Sequence, residues 1–166
     1  MAVLAIIEHP DPRLEAPAEL VASFGYRTRQ LAEDMIETLR ALKAAALSAV
    51  QVGVHKQLLV IDAPLGHAAP EVYVNPELLM RRNYGLIEER CLSMPGVVTH
   101  VLRANDVIVR AQDADGREFE RVLSGAPALC LQRKIDLLNA RLPAFRQLRL
   151  ARAPAHGTLE QSHPTA

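Results

Sequence analysis

The chain has 166 residues, of which 49% are hydrophobic and 23% charged, and its 19 basic side chains balance 19 acidic ones. This composition is typical of one soluble globular domain, and the lack of net charge argues against a nucleic-acid or acidic-membrane partner. Two cysteines, Cys91 and Cys130, are too few for a disulfide framework, and the apolar residues 1–7 are too few to span a membrane. We therefore expect a cytoplasmic protein with no nucleic-acid or membrane partner.

Hydrophobic periodicity predicts two helices. Apolar side chains in residues 28–43 recur three and four positions apart, which is typical of an amphipathic helix. The second helix follows Ser124, a good capping residue, and carries Pro127 in its first turn. We expect it to extend to about residue 141, with Pro143 as the signal that ends it.

Strand patterns fill the middle of the chain. Residues 57–62 and 71–75 are rich in strand-forming side chains, and residues 84–93 are expected to continue in an extended conformation. The clearest hairpin joins residues 106–111 to residues 117–123 through an Asp-Ala-Asp-Gly turn.

The order helix, antiparallel strands, helix predicts an α+β fold in which strands pack around the C-terminal helix. No linker divides the chain, so we predict a single domain in residues 1–150. Residues 151–166 contain proline, glycine and scattered polar side chains, and we expect them to form a flexible tail.

Three stretches stand out as carriers of chemistry. Residues 44–51 are mostly small and end at the amide of Gln51, so they allow close approach of a ligand or simply tight internal packing. Residues 89–93 have the sequence Glu-Arg-Cys-Leu-Ser. Residues 132–138 have the sequence Gln-Arg-Lys-Ile-Asp-Leu-Leu and lie within the second predicted helix.

In this order, and preceded by the His-Pro-Asp-Pro-Arg-Leu of residues 9–14, the three stretches resemble peptide deformylase. That family has Gly-φ-Gly-φ-Ala-Ala-x-Gln (φ, hydrophobic) at the place of residues 44–51. It has Glu-Gly-Cys-Leu-Ser at residues 89–93 and Gln-His-Glu-x-Asp-His-Leu at residues 132–138. The resemblance covers most of the chain and implies a deformylase-like α+β fold.

The resemblance also implies roles for individual residues. In the family a cysteine and two histidines hold a divalent metal, and a glutamate acts on the metal-bound water. Cys91 occupies the cysteine position, and Gln51 occupies the position of the amide that helps to hold the formyl oxygen. The backbone N–H of Leu92 would complete that polar pocket.

The motif differs from the family pattern at the metal ligands. Arg133 and Leu137 occupy the histidine positions, and Lys134 occupies the glutamate position. Leucine has no lone pair and arginine is not deprotonated in proteins, whereas a catalytic metal site needs about three protein ligands and an open position. We therefore predict no metal, no other cofactor and no metal-dependent deformylation.

Three further differences alter the expected cleft. Ala44 and Ala46 replace glycines of the first motif, and Arg90 replaces the glycine beside the cysteine. The added methyl groups and the bulky cation change the surface that would meet a formyl-methionyl peptide.

Arg133 and Lys134 would place two cations where the family holds its metal. They can pair with Glu88 or Glu89 as a structural cross-link, hold an anionic ligand, or reflect decay of an unused site. We expect Leu137 to fill the space of a ligand histidine and to help exclude water.

Two functions remain open. The first is a deformylase-like protein that binds a small molecule, an anion, a peptide end or a protein partner in the old cleft. The second is a metal-free hydrolase or acyl-transfer enzyme with Cys91 as nucleophile and with Gln51 and the Leu92 N–H as oxyanion donors. The sequence does not indicate the oligomeric state. The residues predicted to contact a ligand or line the cleft are Ala46, Glu88, Glu89, Arg90, Arg133, Lys134 and Leu137.

Overall fold

A computed structural model describes residues 2–63 and 69–152, with the side chains of residues 149–152 excepted. An antiparallel sheet holds five strands in sequential order. The strands are β1 (Ala46–Ser48), β2 (Leu58–Ile61), β3 (Glu71–Cys91), β4 (Met94–Gln112) and β5 (Glu118–Ser124). The helices are α1 (Tyr26–Leu42), α2 (Ala126–Leu138) and α3 (Pro143–Arg152).

The alternation of side chains along β2 divides the core into two parts. Leu58 and Val60 point towards α1 and pack in one buried cluster with Met35. Leu59 and Ile61 point to the opposite face and belong to the cluster that surrounds α2. This two-residue period places a helix on each face of the sheet and buries both.

Helix α2 is fixed to the sheet by apolar packing and by one side-chain amide. Leu131 and Leu138 are fully buried in the core beneath it. The side chain of Gln132 accepts a hydrogen bond from the backbone N–H of Ala104 at 3.0 Å and donates one to its carbonyl oxygen at 2.7 Å. The amide of Gln132 thus satisfies the backbone N–H and carbonyl of Ala104 as a neighbouring strand would. This pair of hydrogen bonds fixes the position of α2 along the sheet.

The long hairpin of β3 and β4 is irregular next to the candidate site. Its register shifts between Glu89 and Cys91, and Cys91 then pairs with Met94 across the tight turn. An extra residue at such a bulge re-aims the side chains that follow it.

The α+β architecture is confirmed, with the two predicted helices and the predicted hairpin in place. The end of a strand predicted at residue 75 is wrong, because β3 continues through a register shift between Val74 and Glu77 that accommodates Pro76. Helix α2 ends at Leu138, earlier than the predicted end near residue 141, and Ala140 is left-handed. Pro143 therefore does not end α2 but begins α3, which the sequence analysis did not predict. Proline fits the first position of a helix, where its missing N–H has no partner to lose.

The predicted flexible tail lies outside the described residues, except for residues 151 and 152, which belong to α3. Within the part of the chain that the structure describes, no helix is both long and apolar enough to cross a membrane.

Candidate active site

A cleft of about 510 Å³ opens where α2 meets the turn between β3 and β4. One wall is formed by the small residues 44–46 that lead into β1, and another by the turn residues 90–97. Arg133 and Lys134 line the cleft from α2. The chain thus brings the three motif stretches to one place.

Lys134 lies at the bottom of the cleft with only 2% of its surface exposed. Its Nζ donates a hydrogen bond to Oε1 of Gln51 at 2.8 Å. Burial lowers the pKa of Lys134 because the charged amine loses its hydration, and the neighbouring charge of Arg133 acts in the same direction. The Cys91 sulfur acts in the opposite direction but does not outweigh burial.

Gln51 is fully buried and sits behind the cleft wall, in a short 3-10 turn formed by Ala49–Val52. Its Oε1 accepts from Lys134 and from the backbone N–H of Ser48 at 3.1 Å. With the oxygen fixed on that side, Nε2 donates to Ser93 Oγ at 3.3 Å and to Cys91 Sγ at 3.7 Å. Lys134 and Ser48 together therefore determine which way the amide points.

Cys91 is half-buried at the end of β3, and its side chain lines the cleft. Leu92, which follows it, is 40% exposed and also lines the cleft. The sulfur therefore lies between the buried amide of Gln51 on one side and open cleft on the other.

Comparison with known proteins agrees with this arrangement. The family model described as polypeptide deformylase matches residues 3–150. The chain belongs to the peptide deformylase family. It is 38% identical to the peptide deformylase of Pseudomonas aeruginosa over 164 residues, which cover 98% of both chains. It is 40% identical to that of Saccharophagus degradans over 168 residues, which cover all of this chain and 97% of the other.

Solved structures of the peptide deformylase family share the fold. The crystal structure from Legionella pneumophila superimposes with a TM-score of 0.81 at 35% identity, covering 92% of this chain and all of that one. A structure from Ehrlichia chaffeensis in complex with actinonin gives a TM-score of 0.81 at 33% identity, covering 91% of this chain and 95% of the other.

Arg133 is partly buried at the cleft and has few hydrogen-bond partners among the described residues. Its Nη2 contacts the sulfur of Cys130 at 3.9 Å, and its Nε is buried without a hydrogen-bond partner among the described residues. Cys130 is buried in the core and is also this weak acceptor.

Of the alternatives that the sequence left open for Arg133, an ion pair with Glu88 or Glu89 is not formed among the described residues. Glu89 is instead bound by Arg103, whose Nε and Nη2 donate to its two oxygens at 2.6 and 3.1 Å. Glu88 faces solvent and pairs with Arg90 at 3.1 Å. Alternating residues of a strand point to opposite faces, so these two carboxylates cannot both face the cleft. Glu89 does share a small recess behind the cleft with Arg133.

Arg103 also binds Asp136 of α2 and so forms a buried link between β4, β3 and the helix. Burial disfavours the charge of Arg103, but its hydrogen bonds to the two carboxylates outweigh burial and raise its pKa. Burial raises the pKa of Asp136, and the guanidinium only partly offsets this. The two carboxylates thus share one buried cation.

Leu137 belongs to the core and does not line the cleft, so its assignment to the cleft surface is wrong. It is fully buried in the cluster that contains Leu131 and Leu138. It lies three positions from Lys134 and four from Arg133, and the expectation that it fills the space of a ligand histidine stays a prediction.

The sequence analysis missed several residues of the site. Ser93 accepts from Gln51, and Met94 and Val97 form apolar wall. Glu8 lines the opening, because the N-terminal segment crosses there and is held by a hydrogen bond from His9 N to Ser93 O at 2.7 Å. The motif of residues 89–93 pointed to Ser93, whereas no local signal marked Glu8.

The donor set of the site is sparse. Among residues 2–63 and 69–152 no three side chains of histidine, cysteine, aspartate or glutamate converge in a way that could hold a metal ion.

Proposed function

We propose that this member of the peptide deformylase family has lost metal-dependent deformylation and uses the retained cleft to bind a ligand. The observation that carries the proposal is the position of Lys134. Its amine lies at the bottom of the cleft, 2.8 Å from the amide oxygen of Gln51. In the family resemblance this is the place of the catalytic glutamate.

The residues around Cys91 do not fit the divalent metal that the family resemblance implies. A catalytic metal needs about three protein ligands, and Cys91 is the one donor that matches the motif. Arg133 offers N–H donors and no lone pair, and Leu137 offers neither. The guanidinium would also repel a divalent cation held beside it. The absence of three converging donors among the described residues supports the same view.

A cleft of this size and lining suits a ligand. Its volume of about 510 Å³ lies in the range of small-molecule sites, and its walls combine small apolar residues with a few charged groups. Binding a small molecule, a peptide end or a partner's side chain needs no metal. The residues beneath the cleft, among them Leu131 and Leu138, form one buried apolar cluster.

The test is a deformylation assay with added metal. Purified protein is supplied in turn with ferrous, nickel, cobalt and zinc ions and incubated with a formyl-methionyl peptide. The peptide deformylase of Pseudomonas aeruginosa, treated in parallel, serves as the positive control. We expect no release of formate above background with any metal. Turnover that a chelator abolishes would overturn the proposal.

A second candidate function is metal-free acyl transfer at Cys91. The sulfur faces the cleft, and the amine of Lys134, whose pKa is lowered by burial, provides a proton acceptor that the sequence analysis had not found. The thiolate would attack an acyl carbon, the bond to the leaving group would break, and the leaving group would take the proton. Water would then release the acid and regenerate the thiol.

One observation weighs against this candidate. The Nε2 of Gln51, its expected oxyanion donor, already donates to Ser93 Oγ and Cys91 Sγ behind the cleft wall. Hydrolysis of an activated ester that persists in chelator and disappears in Cys91→Ala would establish the chemistry. An equal rate in the Cys91→Ala variant would exclude it.

A further inference from the structure

We propose that the ligand of the cleft is a carboxylate carried on an apolar chain, and that Arg133 binds its carboxylate. This inference rests on the ligand-binding function proposed above and names the chemical class of the ligand. It depends on the unused hydrogen-bonding capacity of Arg133, the commitment of the nearby carboxylates and the lining of the cleft.

The guanidinium of Arg133 is poorly satisfied by the protein. It carries five N–H donors. Within the described part of the chain its one hydrogen-bond acceptor is a thiol sulfur at 3.9 Å, and its Nε is buried without any acceptor. An unpaired, partly desolvated cation costs free energy, and an anion that reaches it removes that cost.

The acidic groups nearby do not neutralise this cation. Glu89 gives both oxygens to Arg103, and the exposed Glu88 pairs with Arg90. Glu8 lines the cleft but is exposed, so water and salt screen its charge. The inner part of the cleft is therefore positively charged, and the guanidinium of Arg133 is its accessible cation.

The geometry of the Arg133 guanidinium and the apolar lining of the cleft indicate a ligand with one carboxylate. Parallel N–H groups of arginine match the two oxygens of a carboxylate, and one guanidinium balances one negative charge. A phosphate dianion would need a second accessible cation beside Arg133, whereas Lys134 is only 2% exposed. The remaining lining is largely apolar, with Ala45, Met94 and Val97 facing the space beside Arg133. An aliphatic chain attached to the carboxylate would bury surface there.

Isothermal titration with hexanoate and hexanamide tests the proposal on the intact chain. The two probes have nearly the same shape, but the amide has no charge. We expect hexanoate to bind at least about tenfold more tightly than hexanamide, because only the carboxylate accepts charge-assisted hydrogen bonds from the guanidinium. Inorganic phosphate at the same concentration should not compete.

Two variants assign the site. Arg133→Met should lower hexanoate affinity about tenfold or more and leave hexanamide unchanged. Arg29→Met removes a cation that pairs with Asp115 at the surface and does not line the cleft, so hexanoate affinity should change less than about twofold.

Each other outcome overturns the proposal. Equal affinity for hexanoate and hexanamide would show an apolar cleft without charge recognition, and no binding of either probe would exclude the ligand class. Retention of hexanoate binding in a folded Arg133→Met protein would place the anion elsewhere. These failures leave the loss of deformylation untouched, because that claim is decided by the metal-supplemented assay and not by hexanoate.

Discussion

The amine of Lys134 lies 2.8 Å from the amide oxygen of Gln51, with no more than 2% of the lysine exposed. The contact joins α2 to the 3-10 turn that follows β1, and it turns the nitrogen of the amide towards Cys91. A buried lysine therefore orders the polar groups of the cleft. The effect of burying this amine on the free energy of unfolding can be measured by replacing Lys134.

Replacing the buried amine should stabilise the protein at neutral pH. Lys134→Met keeps most of the side-chain volume and removes the desolvation cost of the amine, while Gln51 Oε1 keeps its bond from Ser48. Each unit by which folding lowers the pKa of Lys134 contributes about 1.4 kcal/mol to the difference in free energy of unfolding. Urea titrations of the two proteins at pH 7 measure it. A less stable variant would contradict the account.

The same pair of proteins predicts a pH dependence with a definite sign. Folding lowers the pKa of Lys134 from its ordinary 10.5, so between the two values the unfolded chain binds more protons than the native protein. Burying this amine therefore destabilises the native protein at neutral pH. The penalty falls as the pH rises and is gone above 10.5. The advantage of Lys134→Met should shrink as the pH approaches that value. An advantage that is constant or grows with pH would show that burial does not lower the pKa.

The buried link through Arg103 should be the most sensitive polar contact of the fold. Arg103→Met leaves Glu89 without a partner at 5% exposure, and we expect a loss of about 3–5 kcal/mol in the free energy of unfolding. Arg29→Met is the control, because Arg29 pairs with Asp115 at the surface and the change should cost less than about 1 kcal/mol. Similar losses in the two variants would contradict the assignment.

Arg133→Met should have little effect on stability. No carboxylate among the described residues depends on Arg133, so its removal leaves no unpaired charge and relieves a buried, unsatisfied Nε. We expect the melting temperature to stay the same or rise, in contrast to Arg103→Met. A loss comparable to that of Arg103→Met would reveal a buried carboxylate partner for Arg133.

Metal binding should return only when the whole donor set returns. The triple variant Arg133→His, Lys134→Glu, Leu137→His is expected to take up about one zinc or nickel ion per chain, whereas Arg133→His alone is not. Deformylation need not follow, because Ala44, Ala46 and Arg90 still shape the cleft. Equal uptake by the single and triple variants would contradict this. Metal content is read by elemental analysis after gel filtration.

Local patterns in the sequence predicted most of the fold. The apolar periodicity of residues in α1 and α2 was enough to predict these helices, and the turn at Gly116 was enough to predict the hairpin. Each of these features depends on residues that are close together in the sequence. The length of β3 was not predicted, since the register shift that accommodates Pro76 depends on β4. Helix α3 was missed because Pro143 was interpreted as the end of α2, whereas it is the first residue of α3.

The sequence predicted that the three motif stretches converge on one site, but it did not predict the contacts between their side chains. Gln51, Cys91 and Lys134 come together, and the motif order alone indicated it. The partner of Glu89 could not be predicted, because Arg103 is 14 residues away and reaches it across the hairpin. Several cations lie near each carboxylate. The one that pairs with it is determined by the strand face on which each residue lies and by the length of its side chain, and the spacing of residues in the sequence does not predict this.

The most direct test of the central claim is the metal content of the wild-type chain. The protein is incubated with excess ferrous, nickel, cobalt or zinc ion in a reducing, oxygen-free buffer, separated from free metal by gel filtration and analysed for metal and protein together. A site with one thiolate beside a lysine and an arginine should retain far less than one ion per chain for every metal. Retention of about one ion per chain that is lost in Cys91→Ala would show a working metal centre and contradict the account.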